Sequence, residues 1–131
     1  MSTAVRYFSK IGNTKKIAEA IAEGAGVPAV SIADEPKLTE RVDVLFLGGA
    51  PYANIMDPAL RAYAEGLSAE QAGKVVLFTT SNWSHRTVYA LRKILKENHI
   101  SVEDEHFYAH MLNIKGRTAA AKAFGRKYAD G

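Results

Sequence analysis

A short polar loop joins an apolar run to a helical pattern in the segment Tyr7-Phe8-Ser9-Lys10-Ile11-Gly12-Asn13-Thr14-Lys15-Lys16-Ile17-Ala18. The apolar run from about Ala4 to Phe8 predicts a strand. Apolar side chains then recur at helical spacing from Thr14 to about Gly24. The segment therefore predicts a strand, a tight loop and a helix in direct succession.

The same alternation continues along the rest of the chain. Further strands are predicted over Ala29 to Ile32, Val42 to Leu47, Lys74 to Phe78 and about Ser101 to Tyr108. Helices are predicted from Asp57-Pro58, from Ser84 to about Asn98-His99 and from about Arg117 to Tyr128, while residues 33–40 form a loop or one short helix. This pattern is typical of a parallel sheet covered on both faces. We predict a three-layer, doubly wound α/β domain with a five-stranded parallel sheet of order 2-1-3-4-5.

Size and composition set limits on the possible functions. The 131 residues suit a single domain over 1–131, and the 47% hydrophobic and 24% charged residues are ordinary for a globular protein. No stretch has the length and hydropathy of a membrane span or a secretion signal, so we expect a cytoplasmic protein without a membrane partner. Cysteine is absent, which excludes disulfides and thiolate metal sites. Redox chemistry would therefore need a bound cofactor.

The charged residues give no sign of a nucleic-acid or metal site. The net charge of +3 is a mild bias, and no nucleic-acid-binding motif accompanies it. The four histidines, His85, His99, His106 and His110, lack metal-ligand spacing, so no metal and no functional role are assigned to them. The acidic run Glu103–Glu105 is expected on a solvated strand edge.

The first loop has the residues that bind an anion at a helix start. Backbone N–H groups there attract negative charge, and the hydroxyls of Ser9 and Thr14 can donate to phosphate oxygens. Gly12 allows close approach of the backbone, and Asn13 tolerates tight-turn geometry. An ordinary turn with a helix cap is the alternative. The position of the loop after the first strand favours phosphate.

This loop resembles the phosphate loop of the flavodoxin family, which reads hydroxyl-x-hydroxyl-Gly-Asn-Thr. The resemblance implies FMN as the cofactor, with its phosphate held by Ser9, Lys10, Ile11, Gly12, Asn13 and Thr14. Two of these residues depart from the family. Ile11 replaces a third hydroxyl, and Lys10 places a cation where the family normally has none.

Two further loops should meet the first, because the carboxyl ends of parallel strands share one edge of the sheet. The loop Gly48 to Pro58 is similar to the second flavin-contacting loop of the family, which implies flavin contacts from Pro51, Tyr52, Ala53 and Asn54. Tyr52 would stack on the flavin ring, and the Ala53-Asn54 peptide would face the flavin N5. Alternatively, Tyr52 packs on its own loop and Pro51 only sets the turn.

The third loop, Thr79 to Ser84, contains the only tryptophan of the chain. The resemblance implies that Ser81, Asn82 and Trp83 contact the flavin ring and its pyrimidine edge. Trp83 covers the ring or packs on the helix that follows, and Ser84 is a helix cap or a ligand. The family often has glycines in this loop, and this chain has none there.

The predicted function is that of an FMN-binding redox protein, favoured as an electron carrier that works with redox partner proteins of unknown identity. An FMN-dependent reductase of quinones or similar acceptors is one alternative, and a flavodoxin-like scaffold without flavin is another. A phosphorelay receiver domain is rejected because Ser9-Lys10 and Gly48-Gly49 stand where it needs acids. We expect a monomer or a homodimer. Electron-carrier flavodoxins are commonly acidic, so the basic charge of this chain makes their usual partners doubtful.

Overall fold

A five-stranded parallel sheet forms the centre of the structure, a computed structural model that describes residues 2–52, without the side chain of Tyr52, and residues 55–129. Its strands are β1 (Thr3–Phe8), β2 (Ala29–Ser31), β3 (Val42–Gly49), β6 (Ala72–Ser81) and β7 (Phe107–His110). Two short strands, β4 (Pro51–Tyr52) and β5 (Ile55–Met56), pair with each other outside this sheet. The hydrogen-bonded order is β2-β1-β3-β6-β7. Counting the strands of the main sheet alone, this is the predicted order 2-1-3-4-5.

Four helices cover the two faces of the sheet, as the alternating pattern predicts. Helices α1 (Asn13–Ala25) and α4 (Ile114–Ala129) pack on one face, and α2 (Pro58–Glu65) and α3 (Arg86–Glu97) pack on the other. Successive residues of a strand point to opposite faces, so Ala4 and Val5 belong to two separate apolar cores. Each fully buried Leu, Ile or Phe in these cores contributes about 1.5–3 kcal/mol to folding. The α/β fold in three layers is confirmed.

Several element boundaries differ from the sequence prediction, while the segment 33–40 takes the loop form of its two predicted alternatives. Residues 33–40 form turns and irregular structure, so the crossover from β2 to β3 has no helix. The last strand, predicted over Ser101 to Tyr108, begins only at Phe107, and before it Val102 makes one isolated bridge to Val75. Between these two pairings Glu103 N still donates to Val75 O, and the chain then bulges out of the sheet over residues 104–106.

The final helix begins three residues earlier than predicted, at Ile114. Its buried side chains include Ala121 and Phe124, whereas Ala123 faces solvent. Among the residues that the structure describes, no helix has both the length and the apolar character needed to cross a bilayer.

Candidate functional site

A groove of about 340 Å³ lies at the carboxyl end of the sheet, where the predicted loops meet. The loop after β1, the loop after β3 and the loop after β6 all contribute, together with Met111 after β7. Of the predicted site residues, those lining the groove are Ile11, Asn13, Thr14, Pro51, Ser81 and Asn82. Ser9, Lys10, Gly12 and Trp83 belong to the same loops. Ala53 and Asn54 lie outside the described residues, as does the side chain of Tyr52.

The first loop enters α1 through Gly12, whose backbone has a φ of 95°. L-amino acids rarely adopt this left-handed conformation, so glycine is favoured at this position. A Cβ placed on Gly12 would meet no atom within 4 Å, which shows open space beside the backbone. The Gly12 N–H donates to Ser9 Oγ at 3.0 Å, and this bond shapes the loop from within.

The start of α1 is suited to an anion because no side chain caps it and its first turn has no acidic residue. The first backbone bond of the helix runs from Lys16 N to Gly12 O, so helix geometry leaves the preceding N–H groups without an intrahelical acceptor. The start of α2 differs, because Asp57 Oδ1 accepts from Ala59 N at 2.8 Å. The uncapped N–H groups and the helix dipole together attract negative charge to the first loop.

A buried pair of hydroxyls joins the first loop to the third. Thr14 Oγ1 lies 2.7 Å from Thr80 Oγ1, and both residues are almost completely buried. Either hydroxyl can donate in this pair. When Thr80 donates, the proton of the Thr14 hydroxyl is available to an acceptor in the groove. Thr14 is therefore able to hold the two loops together and to bind an anion.

Lys10 connects the first loop to the second. Its Nζ lies 3.3 Å from Asp57 Oδ2, and the Asp57 side chain is only 10% exposed. The acidic group nearest to the second loop is thus neutralised by a cation from the first loop. The cation by which this loop departs from the family pattern therefore contacts Asp57.

Two side chains of β7 hold the third loop in place. Tyr108 Oη accepts from Trp83 N at 2.8 Å and donates to Ser81 O at 3.1 Å. His110 Nε2 lies 2.9 Å from Asn82 Oδ1, and its ring contacts the edge of Trp83 at 4.4 Å between centroids. The sequence did not predict that Tyr108 and His110 position this loop. The register between β7 and β6 brings both residues to this loop, because it pairs Tyr108 with Thr79 and His110 with Ser81.

Trp83 itself is strained and exposed. Its φ of 75° is unusual for a large side chain, and 75% of its surface is accessible. The ring therefore does not pack under α3, which was one of the two predicted placements. Ser84 Oγ accepts from Arg86 N at 3.2 Å, but the N-cap position of α3 is His85, which makes no side-chain capping bond, so the helix starts later than predicted.

A second aromatic group lies behind the third loop. His85 Nδ1 is 2.8 Å from His106 Nε2, and the His85 ring stacks on Tyr108. Burial lowers the pKa of His106, and the neighbouring His85 and Arg92 lower it further. These contacts support the third loop through Tyr108. Within the described residues no three His, Cys, Asp or Glu side chains converge as metal ligands.

Comparison with known proteins identifies the fold. No family model and no curated protein matches the sequence. Among solved structures, oxidised Flavodoxin 1 from Bacillus cereus superposes with a TM-score of 0.79 at 18% identity over 98% of both chains. A flavodoxin from the domain Archaea gives 0.72 at 22% identity over 99% of this chain and 97% of the other. Rubredoxin oxygen:oxidoreductase from Desulfovibrio gigas superposes with a TM-score of 0.78 at 15% identity. The alignment spans 98% of this chain and 35% of that longer chain. The chain has the flavodoxin fold.

Proposed function

We propose that this chain binds FMN in the groove at the carboxyl end of the sheet and serves as an electron carrier. The observation that carries the proposal is the uncapped, acid-free start of α1 opening onto that groove. The flavodoxins among the structural neighbours support it, because they share the fold of this chain over almost its whole length.

The residues present fit a flavin phosphate. The N–H groups of Asn13 and Thr14 and the Thr14 hydroxyl would hold it, while the Gly12 N–H already donates to Ser9. Ile11 has no side-chain donor, and its side chain is 68% exposed, so only its backbone would contribute. Asp57 does not oppose a phosphate, because Lys10 balances its charge.

The flavin ring would lie between the second and third loops, against Pro51, Tyr52 and the segment Ser81–Trp83. Bound FMN supplies the capacity to accept and release one or two electrons. The protein's part is to orient the ring, to exclude water from one of its faces with Trp83 and to hydrogen-bond its polar edge through the third loop. We expect this to take place in the cytoplasm.

An electron carrier is favoured over a reductase because the chain has almost no structure beyond that of small flavodoxins. The alignment with Flavodoxin 1 spans 98% of this chain and 98% of that chain. A reductase would need additional residues around the flavin to hold a second substrate. The groove lining offers no carboxylate, lysine or histidine that would act on such a substrate.

The test is titration of the purified, unloaded protein with FMN. Binding is expected to quench flavin fluorescence at a 1:1 ratio, and the loaded protein should show the visible bands of an oxidised flavin. Turnover with NADH or NADPH and a quinone should stay close to that of free FMN. Rapid turnover would instead indicate a reductase, and an absence of quenching would indicate a scaffold without flavin.

A further inference from the structure

Apolar side chains are exposed around the groove to an unusual degree. In the described part of the chain, six large hydrophobic side chains are exposed. All of them except Tyr89 lie in the segments that connect the carboxyl ends of the main-sheet strands to the following helices: Ile11, Ile55, Trp83, Met111 and Leu112. Leu112 is 87% exposed. Single exposed apolar residues are ordinary, but a group of them at one edge marks an interaction surface.

Basic residues are concentrated at the same edge. We call residues 9–16, 50–52, 55–57, 82–86 and 111–117 the rim. The rim contains one of the 14 acidic residues of the chain, Asp57, and it is paired with Lys10. Six of the 17 Lys and Arg residues also lie there: Lys10, Lys15, Lys16, Arg86, Lys115 and Arg117. The net positive charge of the protein is therefore located around the groove, although eleven basic residues lie elsewhere among the other acidic residues.

The acidic residues lie mostly away from the rim. Asp34 and Glu35 follow the carboxyl end of β2, an outer strand of the sheet, but neither lines the groove, and Glu35 pairs with Arg6. Glu103–Glu105 precede β7, and Glu103 and Glu105 pair with Lys74 and Lys127. The surface thus has a basic, partly apolar edge and a remainder that is close to neutral.

We propose that the rim docks an acidic redox partner protein whose carboxylates surround an apolar centre. The inference rests on the proposed electron-carrier function and names the chemistry of its partner. Charge complementarity steers such a partner to the groove, and the apolar side chains are buried on contact. A second copy of this chain would bring like charges together, and a nucleic acid would leave most of the apolar group without a partner.

The experiment compares two forms of one probe, native ferricytochrome c, which is basic, and succinylated ferricytochrome c, which is acidic. The FMN-loaded protein is reduced photochemically under anaerobic conditions, mixed with each cytochrome and followed at the haem absorbance band, one electron passing to each ferric haem. At low ionic strength the acidic cytochrome should be reduced faster, by about tenfold or more. Added salt should slow the acidic probe and accelerate the basic one. A faster reaction with native cytochrome c would overturn the proposal.

Two charge reversals on one helix locate the effect. Arg86→Glu lies in the rim at the start of α3, and Lys96→Glu lies near the end of α3, about 15 Å away along the helix axis. Both side chains are exposed and both changes alter the net charge equally. Arg86→Glu should slow reduction of the acidic cytochrome severalfold, while Lys96→Glu should have little effect. Equal effects would mean that net charge alone acts, without a docking surface.

Two more measurements complete the test. Leu112→Ser should slow the acidic probe at high salt as well as low salt, because it removes apolar contact area. If the chain binds no FMN, calorimetric titration of the unloaded protein with both cytochromes tests the rim directly. Preference for the acidic form, lost in Arg86→Glu, would support the surface although the proposed function had failed. Equal binding of both forms, dimerisation through the rim or preference for a DNA duplex would refute it.

Discussion

Gly12 and Gly26 are the two glycines of this structure with a positive φ, and they lie at opposite ends of α1. Neither would place a Cβ within 4 Å of another atom, so substitutions at the two positions meet similar backbone strain and similar space. They differ in function, because only Gly12 belongs to the proposed phosphate site. This makes them a matched pair for separating binding from folding.

Gly12→Asp should weaken FMN binding about tenfold or more, because a carboxylate beside the phosphate repels it. Gly26→Asp should leave FMN binding unchanged. Aspartate tolerates the left-handed conformation better than most residues, and the helix dipole favours it at position 12 over position 26. Urea unfolding should therefore show Gly12→Asp to be at least as stable as Gly26→Asp. Equal FMN affinity of both variants and wild type would remove Gly12 from the site.

Tyr108 is the residue on which the geometry of the third loop depends. Its hydroxyl accepts from Trp83 N and donates to Ser81 O, and this holds Trp83 at its strained φ. Tyr108→Phe should cost about 1 kcal/mol in stability and weaken FMN binding, because the loop relaxes. Trp83 is the only tryptophan, so its fluorescence reports the change directly. Tyr89→Phe, at an exposed position on α3, is the control and should leave emission and binding as they are.

At the scale of elements, α1 and α2 both begin near the groove but start in different ways. α1 starts at Gly12 without a cap, and α2 starts at Asp57, which caps Ala59 N and also pairs with Lys10. Asp57→Ala should destabilise the protein by about 1 kcal/mol, because the cap is lost. Asp57→Asn keeps the cap and removes the ion pair, and since Lys10 is half exposed its cost should be smaller. Urea unfolding of both variants measures the two contributions. An equal cost would assign the stability to the ion pair.

The elements themselves were predictable where apolar periodicity is strong. The strand order and the start of α2 at Asp57-Pro58 were both predicted correctly. The last strand was not, because its boundary depends on a contact distant in sequence: Arg92 donates to the carbonyls of Glu103 and Asp104 and stabilises the bulge.

The site shows the same limit. Local chemistry placed the three loops, since each follows a strand and begins a helix or a turn. The pairing of Lys10 with Asp57 and the anchoring of Trp83 by Tyr108 depend on the register between distant segments. Sequence alone contains no local signal for either contact. The flavin contacts proposed for Ala53 and Asn54 remain predictions.

For the whole molecule, folding is coupled to pH through the half-buried His106. His85, Arg92 and Glu105 are the charged or titratable groups that influence it, and burial is the main cause of its lowered pKa. In the unfolded chain the same imidazole has its ordinary pKa of about 6.5, so the unfolded state takes up the proton first as pH falls. The stability associated with neutral His106 is therefore complete above that pKa and is lost as pH falls through the lower pKa of the folded state.

The free energy of unfolding should thus decline as pH falls from about 7.5 through the ordinary histidine pKa of about 6.5, and the decline should be shallower in His106→Asn. His99→Asn, which removes a histidine from an exposed turn, provides the slope for comparison. The pKa values of Asp43 and Glu105 are lowered by hydrogen bonds from Arg41 and Tyr128, so these carboxyls titrate below this window. Urea unfolding at closely spaced pH values measures the slopes. Because His106 contacts His85, which stacks on Tyr108, protonation should also alter Trp83 emission over the same pH range. A slope in His106→Asn as steep as that of wild type would mean that other groups couple folding to pH.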